Sequence, residues 1–321
     1  MKIGIDIGGS HIGIGLVDNE NKLIDKFEYN WKKEEKKDKE VICKYAPKYS
    51  IDIIEDLLKR NSLDSSSVEK IGIGFPIGEI INNKIFMNGK EFDIGKKIEE
   101  HFKVKVTVKN DVKCSGKYVK ELGELRKYNN ALFLTLGTGI GGAYFYKNQL
   151  VVPNKYAGFE FGHMIIKYNG EKCYCGQNGC FQAYASMKKF RSQVEKLFNK
   201  EHVNSEFVLD VVSRKEKEIE MNAIIDNYLQ YLAIGLVNLI HIFEPDAICI
   251  GGSFAHYESI FIEKLNKKVK EYFIYREIPK IFITKIANDA GIIGATMWEN
   301  RNGEIPVYFS ESLIVKKIYK R

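Results

Sequence analysis

Hydrophobic and polar positions alternate with period two where the chain begins. Over residues 2–7 (KIGIDI), Ile3, Ile5 and Ile7 share one face, and residues 12–17 (IGIGLV) repeat the pattern after Gly8-Gly9-Ser10. Strand, glycine turn and returning strand predict an antiparallel hairpin. A helical stretch follows around 40–60, then a short buried strand at 70–76 (KIGIGFP), a helix near 94–102 and a strand at 105–111 (KVTVKND). A helix from about Val112 to Leu122 closes the first half. The second half opens the same way, with a strand at 131–136, a glycine turn at 137–142 (GTGIGG) and a second strand at 143–151 (AYFYKNQLV). A long, mainly helical region (183–243) leads to a buried strand (247–252), a helix (256–273), a strand (281–286) and a last helix from about Ala290. Strands alternating with helices predict an α/β protein, and the twice-used strand–glycine turn–strand unit suggests duplication. We expect a break near 112–130, giving domains 1–115 and 116–321, with the closing helix near 290–300 able to pack back on the first.

Composition narrows the classes. The chain has 321 residues, 45% of them hydrophobic and 28% charged, as in an ordinary globular protein. The net charge of +7 is spread along the chain. The run at 32–40 (KKEEKKDKE) mixes both signs, and only the tail at 316–321 (KKIYKR) is locally basic, so no stripe of a dedicated nucleic-acid binder is visible. The most apolar helix candidate, 231–243, is too short for a membrane span and carries Asn238 and His241, which predicts a core helix. Nothing resembles a signal peptide, and a cytoplasmic protein is expected.

Six cysteines in a chain of this length are not a disulfide framework. Cys43, Cys114 and Cys249 are scattered and read as reduced buried thiols. The other three fall with a histidine in the pattern H-x9-C-x-C-x4-C: His163, Cys173, Cys175 and Cys180. Four soft or borderline ligands so close together suit tetrahedral zinc.

The glycine turns invite a phosphate. GTGIGG satisfies G-x-G-x-x-G in form, but strand-like residues follow it where a dinucleotide fingerprint needs a helix. No Walker A sequence is present. A glycine hairpin tip can still converge backbone N–H groups on an anion, and GGSFA (251–255) supplies a third such loop; a plain tight turn is the competing explanation for any one of them. Asp6 stands just before the first glycines. A carboxylate facing a phosphate loop repels its ligand unless a divalent cation lies between, which implies Mg²⁺ held mainly by waters and phosphates; the plainer alternative is an aspartate capping the turn. Asp111 stands where a strand ends and a helix begins, equally suited to general-base work and to capping the helix.

The segments DIGGSH (6–11), KNDV (109–112), LGTGIGGA (136–143), GFEFGH (158–163), CYCGQNGCFQAYAS (173–186), EPDAICIGGSF (244–254) and DAGIIGAT (289–296) resemble, in order and over nearly the whole chain, the ROK family of sugar kinases and regulators. The resemblance implies an actin-like (ribonuclease H-like) two-domain ATPase fold with ATP and a hexose in an interdomain cleft. It implies Asp111 as catalytic base and Asn110, Glu160, His163, Gly78 and Asn88 as sugar contacts. Asp6, Gly8, Gly9 and Ser10 match the first phosphate element, Thr138 and Gly139 the second, and Gly251 and Gly252 the nucleoside side. The zinc site becomes structural, with four protein ligands and His163 turning its second ring nitrogen to the sugar. Two departures stand out: Gln182 replaces the family's usual sugar-contacting Glu, and GGSH replaces GGTK. The implied activity is ATP-dependent phosphorylation of a hexose 6-hydroxyl, with glucose favoured; N-acetylmannosamine or N-acetylglucosamine as substrate, or an impaired sugar-binding protein, are the alternatives. Family regulators carry a helix-turn-helix before the first phosphate element, and only five residues precede Asp6 here. A homodimer is common among relatives.

Overall fold

The computed structural model describes residues 1–9, 11–32, 39–76, 78–152, 159–274, 276–286, 289–298 and 304–306. The first sheet opens with β1 (Lys2–Ile7), β2 (His11–Val17) and β3 (Leu23–Asn30); then come α1 (Lys39–Arg60) and β4 (Lys70–Phe75). A small three-stranded sheet follows, β5 (Glu79–Ile81), β6 (Lys84–Met87) and β7 (Lys90–Phe92), before α2 (Ile94–Phe102), β8 (Val106–Asn110) and α3 (Asp111–Glu121). The first sheet has the order β3-β2-β1-β4-β8, antiparallel in its hairpins and parallel from β1 through β4 to β8.

The second sheet contains β9 (Ala131–Leu136), β10 (Ile140–Tyr146) and β11 (Gln149–Val152). Four helices follow: α4 (Phe181–Ala185), α5 (Met187–Phe198), α6 (Ser205–Ser213) and α7 (Glu218–Phe243). The chain then adds β12 (Ala247–Gly251), α8 (Glu258–Tyr272), β13 (Lys280–Ile283), α9 (Asp289–Thr296) and β14 (Glu304–Pro306). The order β13-β12-β9-β10-β11-β14 repeats the plan of the first sheet, a three-stranded meander beside parallel strands, with β14 added at the edge.

Alternation along β1 explains its two faces. Ile3, Ile5 and Ile7 point into a core shared with α1 and α2, each contributing about 1.5–3 kcal/mol by leaving water. Gly4 points the other way, and with Gly72 of β4 it lets the backbone of α9 lie directly on the sheet. A Cβ on Gly4 would overlap the carbonyl of Ile292, and one on Gly72 that of Ala295. The closing helix thus covers β1 and β4, while α3 touches strands of both sheets.

Two expectations are corrected. The stretch 143–151 is not one strand: Lys147 and Asn148 both take left-handed backbone (φ 50° and 66°) and turn β10 into β11. Asn130 Oδ1 accepts from the Lys147 N–H and Lys120 Nζ donates to Asn148 Oδ1, so tertiary partners hold a turn that lacks glycine. The apolar stretch 231–243 is the end of a 26-residue helix. Length therefore does not exclude a membrane span, but 56% of its most apolar stretch is buried in the protein, where Leu229, Leu232 and Leu236 sit in the second core. β3 and the small sheet had no counterpart in the pattern of the chain.

Candidate active site and metal centre

The parallel strands of the first sheet end together, and their register sets the site. Asp6 of β1 pairs with Gly74 of β4, and Gly74 pairs with Lys109 of β8, one residue before Asn110 and two before Asp111. Gly74 leaves the room between the two carboxylates: a Cβ there would stand 3.4 Å from Asp6 Oδ1 and 3.3 Å from Asp111 Cα. Gly291 of α9 closes on Asp6 from the other side; a Cβ there would overlap its carboxylate.

Asn110 is the cap of α3. Its Oδ1 accepts from the Lys113 N–H at 3.2 Å. Asp111 is the first helical residue and accepts from the Val112 N–H at 2.8 Å, so it is not the helix cap that its position allowed. Burial pushes the Asp111 carboxyl up to about 6, against the pull of backbone N–H groups at Val112 and Asp111 itself. Burial, then the charge of Asp111, then that of Glu28, hold Asp6 well above the usual carboxylate range. Both residues keep a little solvent contact at the surface yet are densely enclosed. Both carboxyls are thus held above the ordinary aspartate range, Asp6 in part by the charge of Asp111.

The second glycine turn, Gly137 to Gly139, is the hub around which the remaining residues gather. Its tip is open, with nothing within 4 Å of a Cβ placed on Gly137, as also on Gly9 of the first turn. A Cβ on Gly141 would lie 2.6 Å from Val112, the neighbour of Asp111. Gly252, with φ of +72°, packs against Leu136 and Thr135 at the entry to the turn. Ser253 Oγ donates to the Leu136 carbonyl at 3.4 Å, and Arg191 Nη1 donates to Ser253 Oγ at 3.2 Å. The first turn is held from behind by Trp31, which is 2% exposed and donates from Nε1 to the Gly8 carbonyl at 2.9 Å.

The cysteine cluster forms. The ligand atoms of His163, Cys173, Cys175 and Cys180 all lie within 4.8 Å of one another. Cys175 and Cys180 sulfurs are 3.7 Å apart, and His163 Nδ1 is 3.9 Å from Cys173 Sγ. A tetrahedral zinc with bonds of about 2.3 Å to sulfur sets sulfurs about 3.8 Å apart, so the donor set fits that metal. His163 Nε2 faces outward, 3.8 Å from Glu160 Oε2. Burial raises the Cys173 thiol, but donors at the Cys175 backbone and Gln182, with the neighbouring thiols, outweigh it and leave the group below its ordinary value.

Gln182, at the start of α4, is 5% exposed with both polar atoms engaged: Nε2 donates to Cys173 Sγ at 3.3 Å and Oε1 accepts from the Ile140 N–H at 3.2 Å. Gly78 (φ +82°) and Asn88 (φ 51°) stand in left-handed backbone, Asn88 with Gly89 turning β6 into β7; turn geometry accounts for these residue types without a ligand. Ser10 lies outside the described residues. The sequence had not marked Gly74, Trp31 or Arg191. Trp31 follows an alternating run and Arg191 lies on a helix, so neither carries a local signal of its role; Gly74, inside KIGIGFP, shows only the alternation with glycine.

The model of the ROK family matches residues 2–302. A glucokinase from Thermotoga maritima is 27% identical over 314 residues, covering 91% of this chain and 95% of that one. A xylose repressor from Bacillus spizizenii is 29% identical over 275 residues, covering 83% of this chain and 68% of the repressor. Among solved structures, a ROK family glucokinase from Streptomyces griseus, crystallised with glucose and AMPPNP, superposes with a TM-score of 0.75 at 22% identity, over 92% of this chain and 97% of that one. That likeness gives the fold, the actin-like two-domain α/β arrangement of the sugar kinases. With a family match spanning almost its whole length, this chain belongs to the ROK family.

Proposed function

We propose that this protein transfers the γ-phosphoryl group of ATP to the 6-hydroxyl of a hexose, with glucose the favoured substrate. The observation that carries the proposal is Asp111. It is an aspartate at the start of a helix, relieved of capping duty by Asn110 and aimed from a strand–helix junction beside Gly74 and Asp6. Its carboxylate accepts the proton of the sugar hydroxyl as the hydroxyl oxygen bonds to the γ-phosphorus, and the bond from that phosphorus to the β–γ bridging oxygen breaks to release ADP. A base of pKa about 6 is ionised at neutral pH and weakly solvated, which suits this step.

Other residues position and neutralise. The backbone N–H groups of Gly8-Gly9 and of Thr138-Gly139 would receive phosphate oxygens, and Gly251-Gly252 the nucleoside side. The oxygen donors of Asp6, and the height of its pKa, suit a hard divalent cation nearby; Mg²⁺ there would supply charge neutralisation on the transferring phosphate. The half-buried His163, through Nε2, and the exposed Glu160 beside it would grip sugar hydroxyls, with Asn110 Nδ2 as a further donor. His163, Cys173, Cys175 and Cys180 would hold zinc with no position left open, so the metal fixes the ring of His163 rather than taking part in chemistry. We place the domain boundary at α3, near 115, so that closure of the halves on the sugar excludes water.

A coupled ATP-consumption assay over glucose, mannose, N-acetylmannosamine and N-acetylglucosamine, with polyphosphate as a second donor, tests this. Turnover on glucose supports the proposal. No turnover on any sugar would remove it in favour of a sugar-binding role.

A further inference from the structure

Gln182, one of the two departures from the family pattern, lies where the metal loop meets the second glycine turn. Gln182 reaches Cys173 with its N–H and the Ile140 backbone N–H with its carbonyl oxygen, and it is 5% exposed. Ile140 is the residue that leaves the turn Gly137-Thr138-Gly139. The space for the amide is made by two glycines: a Cβ on Gly139 would stand 2.7 Å from Oε1, and one on Gly162, beside His163, 2.8 Å. Gly162 also packs on the Ile140 carbonyl.

The chemistry at its two ends differs, and a neutral amide serves both. The sulfur of a zinc-bound cysteine is an anion and needs a donor; the Ile140 N–H needs an acceptor. Glutamine carries one of each, whereas an ionised glutamate carries acceptors only and would set its charge 3.3 Å from that sulfur. Partners that hydrogen-bond a metal ligand typically change metal affinity or activity about 10–100-fold when removed.

We infer that Gln182 is a positioning residue that ties the metal centre to the nucleotide's phosphate turn, so that metal occupancy and nucleotide affinity are coupled through one side-chain amide. The nucleotide half of this statement rests on the kinase function proposed above; the metal half does not. Loss of the metal frees the Cys173 loop, and the amide that holds Ile140 loses its anchor. By linkage, nucleotide bound at the turn tightens the metal by the same factor.

The test is a double cycle on the full chain. Zinc affinity is measured by competition with a fluorescent chelator for wild type, Gln182→Glu and Gln182→Ala, and AMPPNP affinity by calorimetry with and without zinc, with melting curves to confirm folding. We expect both variants to lose zinc affinity by about 10-fold or more. Zinc removal should weaken AMPPNP binding to wild type by about 5-fold or more and change it by less than about 2-fold in Gln182→Ala. The isosteric Gln182→Glu keeps the test alive if the alanine variant does not fold. Wild-type zinc affinity in Gln182→Glu, or an equal zinc effect on AMPPNP in both proteins, overturns the tie. Zinc-dependent loss of sugar affinity with no change in AMPPNP would also overturn it, in favour of a sugar contact. A wild type that binds no AMPPNP at all, with zinc affinity still lost in Gln182→Glu, refutes the kinase function and the coupling while confirming the contact to Cys173.

Discussion

Replacing Asp111 by asparagine should cost activity and gain stability, and the two effects should separate with pH. Folding raises the Asp111 pKa from 3.8 to about 6, chiefly by burial. Because the folded value lies above the unfolded one, the ionised form is the one that folding disfavours. The penalty is absent below about pH 4, grows as pH rises, and is complete above about pH 6. A shift of about 2 units corresponds to at most about 3 kcal/mol. Asparagine keeps the shape and an oxygen for the Val112 N–H, and it carries no charge to bury. Denaturant unfolding of the two proteins at pH 4, 6 and 8 should show the variant more stable at pH 8, by up to about 3 kcal/mol, and level with wild type at pH 4. In the same samples wild-type kcat/KM should fall about tenfold per unit below pH 6, as the base gains its proton, and the variant should lose activity by about 10²–10⁴-fold. A stability difference independent of pH, or turnover surviving in Asp111→Asn, would refute the assignment of this buried carboxylate as the base.

Three further outcomes are expected. Cys175→Ser should lose bound zinc, measured by metal analysis, and raise the sugar KM by about 10-fold or more with a smaller change in the ATP KM; full sugar affinity without metal would contradict the role given to His163. Gly72→Ala forces a Cβ into the Ala295 carbonyl of α9 and should destabilise the fold by about 1–3 kcal/mol in urea melts. Trp31→Phe removes the hydrogen bond to the Gly8 carbonyl at 2.9 Å and should cost about 0.5–1.5 kcal/mol of stability, raising the ATP KM and leaving the sugar KM unchanged.

Much of this architecture is written locally. The period-two runs of β1 and β2 and the glycine turn between them need no information beyond six or seven neighbours. The cysteine cluster is equally local, since its four ligands fall within eighteen residues. What escapes is set at long range. Gly4 and Gly72 look like ordinary strand glycines until α9, more than two hundred residues on, lies on them. The Lys147-Asn148 turn carries no glycine because Asn130 and Lys120 hold it from elsewhere in the chain. Asn110 and Asp111 compete for one capping role in the sequence, and only coordinates show that Asn110 takes it. The same holds for Gln182, whose two partners lie nine and forty-two positions away.

The seating of α9 on the glycine face of the first sheet also orders events in time. About 180 residues separate the end of β8 from the start of α9. At about 5–20 residues per second a ribosome takes roughly 10–35 s to cross that interval. Throughout it β1 with Asp6 and the β8–α3 junction with Asp111 have been made, but the face on which Asp6 sits lacks the cover of α9. The cover that Gly291 lays over Asp6 arrives only with α9. A nascent chain that has not yet made α9 therefore holds Asp6 without its cover, and the seating of that helix completes the enclosure of the carboxylate.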